Sequence, residues 1–156
     1  TENGFSFKGS EIEEYLITTR NMCHFYALAD TRYFLDLIYQ KVQIENLGIP
    51  LNSEIRLCVQ LCILGVYQGD CAHSLLVAEN LARLSEETDD WRIVYQYYYI
   101  IAFVNMHNGN INDACEASEA CINLAKEHKE ERMEFNAQIA KIMSHFSGFH
   151  NILIIV

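Results

Sequence analysis

The chain has 156 residues, 51% of them hydrophobic, which suits one domain with a core of its own. Its 21 acidic side chains against 11 basic ones leave a formal net charge of -10, so sequence-independent attraction to nucleic acid or to an anionic membrane is disfavoured. No stretch reaches the roughly 20 apolar residues that span a bilayer, and the start Thr1-Glu2-Asn3-Gly4 lacks the layout of a signal peptide, so the expected location is the cytoplasm.

One proline and seven glycines leave long segments with apolar residues at three- and four-residue spacings, which predicts an all-α fold of about seven helices. The first helix is expected near 11–28, opened by a capping box of Ser10 and Glu13. A second pattern, through Tyr33, Leu37, Ile38, Val42, Ile44 and Leu47, stops at Gly48 before Pro50. Ser53 is expected to cap a third helix to about 68, where Gly69 breaks it and Asp70 caps a fourth running to about 87. Thr88, Asp89 and Asp90 open a fifth near 89–107, Asn108-Gly109-Asn110 turns into a sixth near 111–127, and a seventh follows near 130–147. The hairpins are thus about 11–48, 52–87 and 89–128, with a final helix at 130–147, all in a single domain over 1–156. The missing initiating Met and the apolar end at 151–156, read as the stub of a further helix, give the expectation of a piece of a larger protein.

The chain also repeats itself. Gly69-Asp70 and Gly109-Asn110 stand 40 residues apart, and their flanks correspond: Leu61 with Ile101, Cys62 with Ala102, Ser74 with Ala114, Ala78 with Ser118, Leu84 with Leu124. A further step back reaches Ala29-Asp30, expected to be a weaker turn of the same kind. The large-small pairs Leu61-Cys62 and Ile101-Ala102, the turns after them, and the small residues Ser74 and Ala114 resemble the tetratricopeptide repeat, whose familiar repeat is about 34 residues long. That resemblance implies an α-solenoid of antiparallel hairpins, wound as a right-handed superhelix, in which the first helix of each hairpin lines a concave face that holds peptides. Carried onto this chain, the inward positions are Thr19, Cys23 and Tyr26 in the first hairpin and Arg56, Val59, Ile63 and Tyr67 in the second. In the third they are Gln96, Tyr99, Phe103, Met106 and His107. The expected partner-binding groove is Arg56, Ile63, Tyr67, Gln96, Tyr99, Phe103, Met106 and His107, without the Lys/Asn/Arg set by which some family members clamp a C-terminal carboxylate.

Chemistry is thinly signalled. Cys58, Cys62, Cys71 and His73 place thiols and an imidazole around one turn, yet no C-x₂-C pair of zinc type exists, and reduced thiols filling core positions are the expected reading. Glu13-Glu14, Asp89-Asp90 and Glu130-Glu131 fall at helix N-termini, where negative charge opposes the dipole, and Glu86-Glu87 falls at a helix end. Phosphate loops, H-E-x-x-H and G-x-S-x-G are all missing, so no enzyme activity, metal or cofactor is expected. The aromatic run Trp91, Tyr95, Tyr97, Tyr98, Tyr99 and Phe103 wraps more than one helical turn, so its rings cannot all face one core, and they are expected either to pack between neighbouring helices or to face solvent, a groove or another subunit. The functional expectation is a scaffold that binds a protein or peptide segment, with a second copy of the chain as a candidate partner. The alternative is a regulatory or dimerising segment of a multidomain bacterial signalling protein whose output, a diguanylate cyclase or DNA-binding domain, lies outside these residues.

Overall fold

The computed structural model describes residues 29–45 and 47–153. The expected first helix, with Ser10, Glu13, Thr19, Cys23 and Tyr26, lies outside them. The described residues form six helices and no strand: α1 Ala29–Ile44, α2 Leu51–Tyr67, α3 Cys71–Glu86, α4 Trp91–Asn108, α5 Ile111–Glu127 and α6 Glu131–Leu153. They correspond to the second to seventh helices expected from the spacing.

The 40-residue repeat is visible in how helices end. After α2, Gly69 takes φ 77° and the Asp70 N–H donates to the Gly65 carbonyl at 2.8 Å. After α4, Gly109 takes φ 83° and the Asn110 N–H donates to the Asn105 carbonyl at 2.9 Å. Both are six-to-one closures that satisfy orphan carbonyls with a left-handed residue, where a missing Cβ removes the steric cost. The same closure recurs after α5 at Lys129, φ 58°, with Glu130 donating to Ala125 at 2.9 Å. A lysine there bears a cost of about 1–2 kcal/mol, and nothing in its side chain announces the turn.

Helix starts follow the sequence less closely. Asp70 caps α3 by accepting from the His73 N–H at 3.2 Å, and Asp90 caps α4 by accepting from the Arg92 N–H at 3.0 Å. Ser53 does not cap α2, because the helix already begins at Leu51 after Pro50, and the Ser53 hydroxyl is buried in the first turn. Pro50 stands at the N-cap with φ -56° and ψ 141°, and its carbonyl accepts from the Ser53 and Glu54 N–H groups at 2.8 and 3.1 Å. Ala29 and Asp30 are part of α1 rather than a turn. At the other end, α6 runs through Gly148 to Leu153, so residues 151–153 continue the last helix instead of starting another. An interior glycine costs only about 1 kcal/mol relative to alanine, which a long helix tolerates.

Each helix packs on its neighbour in the chain, and beyond that α2 packs on α4 and α4 on α6, whereas α3 and α5 do not meet. The principal core joins Leu35 and Ile38 of α1, Leu57, Leu61 and Leu64 of α2, Val77, Leu81 and Leu84 of α3, and Ile100 and Val104 of α4. A second cluster gathers Tyr95, Cys121, Ile122, Ala125 and Ala137 between α4, α5 and α6. The small positions that drew attention in the sequence lie where α2 and α3 approach closely. Ser74 Oγ donates to the Cys62 carbonyl at 2.9 Å, and a Cβ built on Gly65 would lie 2.2 Å from that oxygen.

Candidate functional site

The series of α2, α4 and α6 carries an apolar cleft of about 310 Å³. Five of the eight expected groove residues line it, namely Tyr67 from α2 with Tyr99, Phe103, Met106 and His107 from α4, together with Ala102. The opposite wall, Ile139, Ala140, Met143 and Ser144, comes from α6. That wall was missed in the sequence, although the repeat signals it: the 40-residue step carries Tyr99 to Ile139 and Phe103 to Met143.

Ring contacts set the shape. Tyr67 meets Phe103 edge to face with centroids 6.0 Å apart, and Phe103 lies 4.4 Å from the His107 ring. The His107 Nδ1 lies 2.8 Å from the Phe103 carbonyl, which can only accept, so Nδ1 carries the proton and a neutral ring leaves Nε2 as an acceptor. Tyr99 is 38% exposed, and its phenol is pushed above the ordinary tyrosine range by burial, then by the neighbouring Cys121 thiol. It therefore stays protonated at neutral pH and offers the cleft a hydroxyl that both donates and accepts.

The remaining expected residues divide. Arg56 and Gln96 line a second, more polar cleft of about 290 Å³ with Asn52, Ile55, Val59, Gln60 and Ile93. Ile63 is 6% exposed, belongs to the principal core and lines neither cleft. The structure thus brings the aromatic residues together and the polar anchors together, in two clefts on the α2–α4 side instead of one groove.

The aromatic run is sorted by packing. Tyr95 is buried, stacks on Tyr99 at 6.1 Å and donates its hydroxyl to the Met133 carbonyl at 2.8 Å, tying α4 to α6. Trp91 and Tyr98 pack on the second cluster, Trp91 stacking on His128 at 4.1 Å, while Tyr97 packs on the first. Of the run, Tyr99 and Phe103 alone reach the apolar cleft.

Cys58 and Cys62 are occupied with packing. Cys58 is buried and pushed up to about 12, chiefly by desolvation, and accepts from Asn80 Nδ2 at 3.6 Å. Cys62 is raised further by the same cause and donates to the Ser74 carbonyl at 3.3 Å. Thiols so strongly held in the protonated form are poor nucleophiles and poor ligands. Among the described residues, no three His, Cys, Asp or Glu side chains converge on a metal position, and no helix is long and apolar enough to cross a membrane.

A polar network unforeseen in the sequence joins α1 to the α2–α3 turn. Arg32 donates to Gln68 Oε1 at 3.0 Å and to Asp70 at 2.6 Å, and Asp36 lies 3.6 Å from Arg32 and 3.4 Å from His73. The Asp70 carboxyl is held below the ordinary range by the Arg32 hydrogen bond and then by the His73 amide. Asp36 is raised by burial, against the pull of His73 and Arg32. These bonds join α1 to the turn, and none of their members lines either cleft.

Comparison with models of known protein families, with curated proteins and with solved structures gave no match. The functional reading rests on the clefts themselves.

Proposed function

We propose that this chain is a helical repeat module of the tetratricopeptide-like solenoid kind, which binds a protein or peptide segment and acts by binding, without catalysis of its own. The observation that carries the reading is the cleft shared by α2, α4 and α6, where partly exposed rings of Tyr67 and Tyr99 stand beside Phe103, Ile139 and Met143 around an open apolar volume. Apolar grooves between helices accept amphipathic or extended peptides, with aromatic side chains as anchors and a few polar groups fixing orientation. His107 Nε2 and the Tyr99 hydroxyl supply the polar groups here, and Arg56 and Gln96 extend the recognition surface from the second cleft.

The test is a pair of measurements on Tyr99→Ala. Peptides selected from a random library on the parent should lose at least about thirtyfold in affinity, roughly 2 kcal/mol, when this partly exposed ring is removed. The melting temperature should move by no more than a few degrees. Phe103→Ala should weaken the same peptides and also lower stability, since that ring packs against the principal core. Unchanged peptide affinity in both variants would remove the cleft as the binding site.

The alternative, a dimerising regulatory segment of a signalling protein, is favoured by one separate observation, the apolar outer face of α6.

A further inference from the structure

Phe135, Ile139, Ile142 and Phe146 are all exposed, the two phenylalanines at 61% and 68%. They fall at spacings of four, three and four along α6, so they form one stripe, opposite the face on which Ala137 and Ser144 are buried. Spacing of this kind is the seam of a paired helix. It also reads the same from either end, large aromatic, isoleucine, isoleucine, large aromatic.

We propose that this stripe is an interface between two copies of the chain, with α6 of one copy antiparallel to α6 of the other. Phe135 of each copy then meets Phe146 of the other, and Ile139 meets Ile142. A two-fold axis requires such self-complementarity, since residue i contacts j and j contacts i. Charge selects the orientation. Arg132 stands one turn before Phe135, and Glu131 and Glu134 lie in the first turn, so parallel helices would set each of these against itself and align their dipoles. Antiparallel pairing separates the like charges and opposes the dipoles.

Area sets the strength. At about 200 Å² per large side chain, the stripe with Met143 beside it exposes roughly 550 Å² per copy, just enough for the ~1,000 Å² total of a specific interface. The dimer is therefore weak, with a dissociation constant in the micromolar range. Each copy carries a formal net charge of -10, so added salt screens the repulsion and tightens the dimer, whereas a basic partner on the same stripe would be released by salt.

The inference is tested apart from the peptide-binding reading at Phe135, Ile142 and Phe146, which line neither cleft, whereas Ile139 and Met143 are shared with the wall of the apolar one. Sedimentation equilibrium of the parent should give a mass rising from one copy to two between about 1 and 100 µM, more steeply at 0.5 M than at 0.05 M salt. Ile142→Glu should raise the dissociation constant at least tenfold with an unchanged helical circular dichroism spectrum. The single variants Phe135→Lys and Phe146→Glu should each be monomeric, and an equimolar mixture should form a heterodimer, because the antiparallel seam brings the two new charges together. A parent that stays monomeric, or a dimer indifferent to Ile142→Glu, overturns the interface. A mixture that remains monomeric overturns its orientation.

Discussion

Helices α2 and α6 both pack on α4 and both line the apolar cleft, yet they are buried very differently. Eleven of the 17 residues of α2 are buried, whereas α6 buries only Ala137 and Ser144 among its residues up to Phe146. The difference follows from the number of neighbours. α2 is enclosed by α1, α3 and α4, while α6 meets α4 and α5. Large apolar side chains occur on both, so an apolar residue in this chain is core or surface according to what its helix leans on. For α2 the stripe closes a core, and for α6 it stays exposed.

The widest test of that contrast is truncation at matched positions. Leu61, fully buried in α2, should cost about 3–4 kcal/mol when changed to Ala, through lost burial and the cavity left behind. Ile142→Ala in α6, measured at dilute concentration, should change unfolding free energy by no more than about 0.5 kcal/mol. Urea titrations of both variants make the comparison, and a cost at Ile142 close to that at Leu61 would show α6 to be held by contacts beyond those described.

A smaller effect is expected where Gly65 of α2 faces Ser74 of α3. Alanine at position 65 gains about 1 kcal/mol in helix propensity, but its Cβ would displace the Ser74 hydroxyl from the Cys62 carbonyl, for a net loss of about 1–2 kcal/mol. Gly65→Ala combined with Ser74→Ala should recover much of that loss in thermal melts. Without recovery, the close approach is made by backbone and not by the serine.

The smallest effect concerns the edge where α1 meets the α2–α3 turn. Asp70 titrates below its unfolded value, so its contribution to stability is present above about pH 4 and disappears as pH falls through the folded value. Asp36 has the opposite sign, its folded value being raised by burial, so ionising it as pH rises works against the fold. Arg32→Ala should bring the Asp70 midpoint up toward the ordinary carboxylate range, read by carboxyl ¹³C shifts. The change in stability should be small, since the Asp70 side chain is partly exposed.

The helix ends were legible because they depend on local chemistry. Glycine at 69 and 109 and aspartate at 70 act through their own backbone freedom or side-chain oxygen, and the structure uses all three as indicated, whereas Asp90, expected in a first turn near 89, stands at the cap before Trp91. Lys129 was not legible, since a left-handed lysine is imposed by the helices it joins and not by its own preference. The cleft was legible to the extent that the repeat carries it. Tyr67, Tyr99, Phe103, Met106 and His107 fall together because α2 and α4 pack on one another, although by the 40-residue step only Tyr67 and His107 are equivalent. Ile63 fails because a position equivalent in sequence need not be equally open, and here α1 and α3 help to close over α2. The Arg32 network escaped altogether, since its members are scattered between residues 32 and 73 and join only once the helices are assembled.

The order of contacts between helices also bears on how the chain reaches its fold. No pair of described helices farther apart than next-nearest in the chain makes contact, so every tertiary contact closes a short loop of polypeptide. Low contact order of this kind goes with folding in microseconds to milliseconds, and helices can be added one at a time onto those already formed. Newly made chain therefore buries α2 against α3 before α6 exists, and the exposed stripe on α6 is made after the core of α2, α3 and α4.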